Sequence, residues 1–404
     1  MSGRRRTRGF TLAELAVSLV VTAIVFALVM GIVFDQKRSL EGSELLRTMN
    51  ETGKDAMLEL DQRLRLAGFG VDPRYAFDFS WFDCTAADQL PGPNGRPTCR
   101  DRRDAPDRLV FMARSPNYRI DVNGTNGCTD LNGCPHGDAW RLVSTSLPQL
   151  TLTAHQGDVF QRGQVLLSVC PDGYRWTMST VAQALSASAG GDVTLTLYPT
   201  NAAVPYFEDD YTPACYGTGA TVFSVNRFAY SIQTFGGVPW LVLDEGLDLD
   251  GDGSDPWTTR DPGDLLPIAP DVEELQVAYV LNRLAGGVAP DTNADFVTGD
   301  DAAVGAPPEE PDQAAPAPQY GTGLSDATRQ DLNPANIQAV RVSLVIRSDR
   351  RDPSHAAAWP GDALQQLENG DRVLTPAELG GYRRFSVSTT VAIRNLDSRG
   401  MFAF

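Results

Sequence analysis

The stretch "RGFTLAELAVSLVVTAIVFALVMGIVF" (residues 8–34) decides the architecture, because the fate of everything after it depends on where this segment resides. From Phe10 to Phe34 the only charged side chain is Glu14, and the run is long enough to cross a hydrocarbon core as a helix. Arg4, Arg5, Arg6 and Arg8 crowd the residues before it. Positive charge ahead of an apolar span keeps that end in the cytoplasm, which predicts a single pass with the N-terminus inside and the remaining chain exported. The run is too long for a secretory h-region and no small-x-small cleavage site follows it, so it is expected to stay in the membrane rather than be removed as an ordinary signal peptide. A carboxylate at membrane depth is costly, and no lysine or arginine lies within the run to neutralise it. Glu14 therefore predicts a partner supplied from elsewhere, such as the free amine of a neighbouring chain.

Composition agrees with export. A net charge of −17 and a pI near 4.6 argue against nucleic-acid binding, which needs a concentrated basic face. All six cysteines, Cys84, Cys99, Cys128, Cys134, Cys170 and Cys215, follow the apolar segment, and an even count in a translocated region suits disulfide pairing in an oxidising compartment. Proximity favours Cys84–Cys99, Cys128–Cys134 and Cys170–Cys215, with other connectivities open.

Downstream, "SLEGSELLRTMNETGKDAMLELDQRLRLAGFG" (39–70) continues helically. Leu46, Met49, Ala56, Met57, Leu60, Leu64 and Ala67 recur at three- and four-residue spacings on one face, which reads as core. Gly68, Gly70 and Pro73 stop the helix, while Gly42 and Gly53 offer bends. Beyond Pro73 the chain breaks into short runs rich in β-branched and aromatic residues. They are 108–114, 149–155, 164–170, 192–199, 221–235, 239–245, 274–282, 339–347 and 384–395, mostly alternating and bounded by Gly, Pro, Asn or Asp. The expected fold class is α+β, one long N-terminal helix packed on a mainly antiparallel β-rich head, with one buried face per strand. The divisions are 1–9, a basic leader; 10–34, transmembrane; 35–70, the amphipathic half of the helix; and 71–404, the head. Residues 286–335, rich in Gly, Ala, Pro and acid, read as a mobile insertion between two strands.

One constellation has metal chemistry. In "DEGLDLDGDGSDPWTTRDPGD" (244–264), Asp248, Asp250 and Asp252 alternate, Gly253 follows, and Asp255 comes soon after. Alternating carboxylates around a tight turn supply the oxygen shell that calcium prefers. The D-x-D-x-D-G pattern resembles the first half of an EF-hand or dockerin loop, but Thr259 stands where a bidentate glutamate would close it. Asp255, Asp261 or Asp264 would have to complete the shell, so the expectation is a non-EF-hand calcium loop with a stabilising role, set against a plain solvated acidic turn. Catalysis has no comparable signal. His136, His155 and His355 are scattered, and no G-x-S-x-G, P-loop or H-E-x-x-H run occurs, so no enzyme is expected. Cys128, Cys134 and His136 read as a loop disulfide with an incidental histidine in preference to a zinc site.

"RGFTLAEL", a glycine before Phe10 with Glu14 five residues after that glycine, resembles the class III signal of type IV prepilins and pseudopilins. The resemblance implies cleavage after Gly9 by a membrane prepilin peptidase, methylation of the new terminus at Phe10, and pairing of Glu14 with the amine of an adjacent subunit during assembly. Many major pilins carry a proline in the latter half of this helix. None occurs here, and Gly31, which costs about 1 kcal/mol relative to alanine, is the one weak point. "RLRLAGFG", the late "DVEELQVAYVLN", "IQAVRVSLVIRS" and the terminal "VSTTVAIRN" further resemble minor pilins of the PilW type, relatives of the J-type minor pseudopilins. That resemblance spans nearly the whole chain and is weakest from 75 to 220. It implies a pilus subunit serving adhesion or motility, placed at or near the tip. Implied partners are other minor pilins and the major pilin through the N-terminal helix, the processing peptidase, the inner membrane before assembly, and a PilY-type tip adhesin. Three other readings stay open: a type II secretion pseudopilin, a competence-type DNA-uptake pilus, and a membrane-anchored surface binding protein that never polymerises.

Overall fold

The computed structural model describes residues 12–73, 76–77, 89–91, 97–99, 106–114, 139–146, 148–154, 156–171, 176–188, 190–198, 220–254, 261–281, 337–351 and 381–396. The expected cleavage junction Gly9–Phe10, Asp255, the insertion 286–335, the three histidines, and Cys84, Cys128, Cys134 and Cys215 lie outside them. The chain divides into two compact units, Met1–Glu51 and Thr52–Phe404.

One helix, α1 (Leu12–Leu64), begins in the first unit and runs uninterrupted through Gly31, Gly42 and Gly53. It contains no proline, and Glu14 in its first turn and Arg63 in its last complement the helix dipole. Every residue from Leu12 to Lys37 is exposed, apolar side chains included. A helix apolar on all faces needs apolar surroundings, and this one has the length and composition to cross a membrane. Farther along, Lys37–Glu41 and Arg47–Glu51 pair across successive turns at 3.7 and 2.8 Å. Such exposed pairs contribute a few tenths of a kcal/mol each. Leu46, expected on the buried stripe, is 44% exposed. The stripe that continues Met49, Ala56, Leu60 and Leu64 runs back through Leu45 instead.

Strands of the second unit, in chain order, are β1 (Gln89–Pro91), β2 (Pro97–Cys99), β3 (Leu109–Arg114), β4 (Ala139–Ser146), β5 (Gln149–Ala154) and β6 (Val159–Phe160). They continue as β7 (Val165–Val169), β8 (Trp176–Thr180), β9 (Leu185–Ser186), β10 (Gly191–Thr196) and β11 (Thr221–Phe235). The last are β12 (Val238–Asp244), β13 (Leu265–Pro270), β14 (Val272–Leu281), β15 (Ile337–Arg347) and β16 (Arg384–Ala392). All described pairings are antiparallel.

The 15-residue β11 is the spine of a nine-stranded sheet. Its first third pairs with β4 and β7, its middle with β3, and its last third with β12 through the Gly236–Gly237 turn. This crowding explains why β3 and β7 are buried along their whole length, where one buried face was expected. Phe111 on β3 lies between Phe77 and Phe228, its ring tilted against both with centroids 6.2 and 5.1 Å away. A separate three-stranded sheet has the order β14-β15-β16, and β16 alternates buried and open positions as the pattern "VSTTVA" requires.

The last turns of α1 pack on both sheets. Arg63 lies over the Phe228 ring at 5.2 Å, and Gly53 is seated so closely on the other sheet that a Cβ would lie 2.8 Å from Ile346 Cδ1. The helix then turns at Gly68 and Gly70, both at positive φ, and the Asn395 amide donates to the Arg65 and Ala67 carbonyls at 2.9 and 3.2 Å. Strands β4, β8 and β13 were not anticipated, nor were the short strands β1, β2, β6 and β9. The two prolines of β13 hide its β character, and they are tolerated because it is an edge strand. The final strand ends at Ala392, earlier than expected, because a 3-10 turn at Arg394–Leu396 sends Leu396 against Gly68.

Candidate functional sites

Two regions carry chemistry, one in each unit. In the first, Glu14 is exposed in the opening turn of α1. Ser18 and Thr22 donate their hydroxyls to the carbonyls of Leu15 and Ser18 at 2.9 and 2.7 Å, so these polar groups are satisfied within the helix. Glu14 is the only ionisable side chain between Leu12 and Phe34. An ionised carboxylate near the start of a helix is favoured by the positive dipole end, but that does not remove the cost of an apolar environment.

In the second unit, the loop from β12 to β13 holds the acidic cluster. Its entry is pinned by Asp244, which is buried between Arg108 and Arg227 at 3.4 and 3.6 Å and accepts from the Gly246 amide at 2.7 Å. The loop then winds around its own carboxylates. Asp248 accepts from the amides of Gly251 and Gly253 at 2.7 and 3.1 Å, and these glycines take φ of 74° and 82°, which other residues adopt only under strain. Asp250 accepts from the Asp252 amide at 3.0 Å, and Asp252 from the Ser254 amide at 2.6 Å. The result is that carboxylate oxygens of Asp248, Asp250 and Asp252 lie within 4.8 Å of one another.

The chain returns at Asp261, which caps a 3-10 turn (Pro262–Asp264) by accepting from the Gly263 amide at 2.8 Å. Gly263 has no room for a side chain because the Asp250 carboxylate sits against it. Asp264 turns inward, 5% exposed, and accepts from the Leu249 amide at 2.6 Å through Oδ1, while its Oδ2 is buried with no hydrogen-bond partner. Burial pushes the Asp264 carboxyl above the usual carboxylate range; the Leu249 and Asp250 amides oppose this, and the charges of Asp248 and Asp250 add to it. The Ser254 amide and hydroxyl hold Asp252 below that range.

Of the residues expected to ligate a metal, the structure thus groups the carboxylates of Asp248, Asp250 and Asp252, while Asp261 and Asp264 bond to the Gly263 and Leu249 amides where the chain returns. What sequence reading missed was the buried set Arg108, Arg227 and Asp244. Asp244 ends a strand like any other acid, and only the pairing of β11 with both β3 and β12 brings the two arginines to it. Cys170, just past β7, is 2% exposed and disulfide-bonded, and Cys99 lies in β2.

The family model for type IV pilus-assembly protein W matches residues 230–395, from within β11 to the 3-10 turn after β16. A model of the prokaryotic N-terminal methylation motif matches residues 4–30. No curated protein matches the chain. Among solved structures, a type IV-like pilin from Thermus thermophilus is similar at 14% identity over 58% of this chain and 86% of its own, with a TM-score of 0.16.

Proposed function

We propose that this chain, whose residues 4–30 match the N-terminal methylation motif and 230–395 the type IV pilus-assembly protein W model, is a minor pilin that is cleaved after Gly9 and built into the tip or priming complex of a pilus. The observation that carries this reading is Glu14: one carboxylate on an apolar helix exposed on every face, five residues after the glycine of the signal. Cleavage would create an amine at Phe10 at nearly the same depth. A carboxylate and an amine in a low-dielectric setting attract strongly only when aligned, so the pair selects register as well as contact. Neighbouring subunits would cover the apolar faces of α1, and the β-rich head would stand outside the helical core. The arginine leader orients the unprocessed chain with its N-terminus in the cytoplasm. The role is structural: the head would help initiate assembly with other minor pilins and present a PilY-type adhesin.

The deciding experiment is mass spectrometry of fibres sheared from cells, read for the N-terminal peptide of this chain. N-methylated Phe10 in the fibre fraction is the expected result. Processed Phe10 confined to membranes would point to a short periplasmic pseudopilus, and an intact leader would overturn the assembly reading. In parallel, Glu14→Ala is expected to reduce fibre incorporation at least about tenfold, the scale of losing one well-placed charge interaction of about 1.4 kcal/mol or more.

A further inference from the structure

We propose that the β12–β13 loop is a calcium site closed from below by Asp264, a ligand brought in by the 3-10 turn after the loop rather than by the loop's own repeat. Asp248, Asp250 and Asp252 alone would be an acidic cluster of the kind any soluble surface carries. Asp264 is the independent observation. It is buried, its Oδ1 is fixed by the Leu249 amide between two of the cluster's acids, and its Oδ2 is left inside the protein with no partner. A buried carboxylate oxygen without a donor is costly, and a bound cation is one way to meet that cost, protonation of the carboxyl the other.

The distances among the three loop acids suit one ion. Oxygens bound to calcium at 2.3–2.6 Å stand at most about 5 Å apart across the ion, and the oxygens of Asp248, Asp250 and Asp252 fall within 4.8 Å of one another. The chemistry suits it too, because the set is all oxygen with no nitrogen or sulfur donor, as a hard cation prefers. Asp261 approaches Asp252 side chain to side chain, so a fifth acid borders the cluster. Among the described residues no arginine or lysine forms an ion pair with Asp248, Asp250, Asp252 or Asp264. The nearby Arg162 offers its carbonyl to the Asp248 amide at 3.1 Å and turns its guanidinium onto Tyr198, 2.9 Å from the phenol oxygen. Asp264 thus takes the part that Thr259 leaves vacant in the EF-hand-like pattern.

The test uses the full chain in detergent, stripped with EGTA and titrated with calcium chloride, read by calorimetry and by the thermal midpoint. Wild type is expected to bind with a midpoint of about 0.1–1 mM, the range of extracellular calcium modules, and to gain several degrees at saturation. Magnesium at the same concentration should produce less than half that shift, since it dehydrates reluctantly and demands tighter geometry. Asp250→Asn and Asp264→Asn should each raise the calcium midpoint about tenfold or more. The two variants separate ligation from packing. If Asp264 were only structural, Asp264→Asn would change the melting point in EGTA and leave the calcium midpoint where it was. Folded wild-type protein that shows neither heat nor shift up to about 10 mM calcium overturns the site, as does an equal response to magnesium.

Discussion

Tyr230 is wholly buried in β11, its ring stacked 6.3 Å from Phe111, and its hydroxyl has no hydrogen-bond partner. Burial, with Glu59 adding, pushes its ionisation far above the usual phenol range, so it is neutral at every relevant pH. The ring stabilises and the hydroxyl does not. Tyr230→Phe should therefore leave the melting temperature unchanged or raise it, by a free energy of about 1 kcal/mol, in a thermal melt followed by circular dichroism. A loss of that size would reveal a donor or acceptor at the hydroxyl and refute the account. Glu245, beside Asp244, is a second case. Burial raises its carboxyl above the ordinary range; Arg63, 3.9 Å away, opposes this, while Asp244 and Glu59 add to it. A carboxyl whose folded pKa is raised costs stability when ionised, and the cost appears as pH rises through the unfolded value toward the folded one. Glu245→Gln is thus expected to raise the melting temperature at pH 7, the gain shrinking as pH falls to about 3, where the wild-type acid is protonated in both states. A gain that is constant from pH 4 to pH 7 would exclude ionisation as the cause. No single residue near Tyr230 or Glu245 announces this environment, which is made by packing.

Gly68 shows what an element end requires. It sits at φ 75° past the end of α1, donates to the Met112 carbonyl at 2.9 Å, and faces Leu396, whose Cδ2 would be 2.5 Å from an added Cβ. Gly68→Ala combines left-handed backbone strain with a clash, and should destabilise the second unit by about 2 kcal/mol in urea unfolding. A change under about 0.5 kcal/mol would mean that the turn relaxes freely. This helix stop was legible in "RLAGFG", as were the spine β11 and the pair β15 and β16, because long alternating runs of β-branched residues have few other uses. Strand β4, "AWRLVSTS", was missed because its exposed half looks like loop sequence. It becomes a strand because β5 and β11 supply hydrogen-bonding partners on its two edges. Strand β13 was hidden by Pro267 and Pro270, tolerated at the sheet edge.

Over the whole molecule, the two units answer to different forces. The apolar part of α1 is exposed along Leu12 to Lys37 and is long and apolar enough to cross a membrane. The second unit carries its own core. Glu14→Ala is accordingly expected to leave the melting temperature of the head within about 1 °C of wild type while lowering fibre incorporation, a separation that thermal melts and immunoblots of sheared fibres would check together. A parallel loss of head stability would place Glu14 in folding instead of assembly. The sequence by itself determined the long helix, its length and apolarity sufficient to cross a membrane, the single acid Glu14 within that run, the antiparallel head and the residues of the acidic loop, because each depends on local periodicity, turn chemistry or charge counts. Only the tertiary structure decided that β11 serves four partner strands, that Asp244 lies between two buried arginines, and that Asp264 is buried against the Leu249 amide. Those outcomes depend on which distant segments are brought together and on which polar groups are thereby removed from water, and no local pattern encodes either.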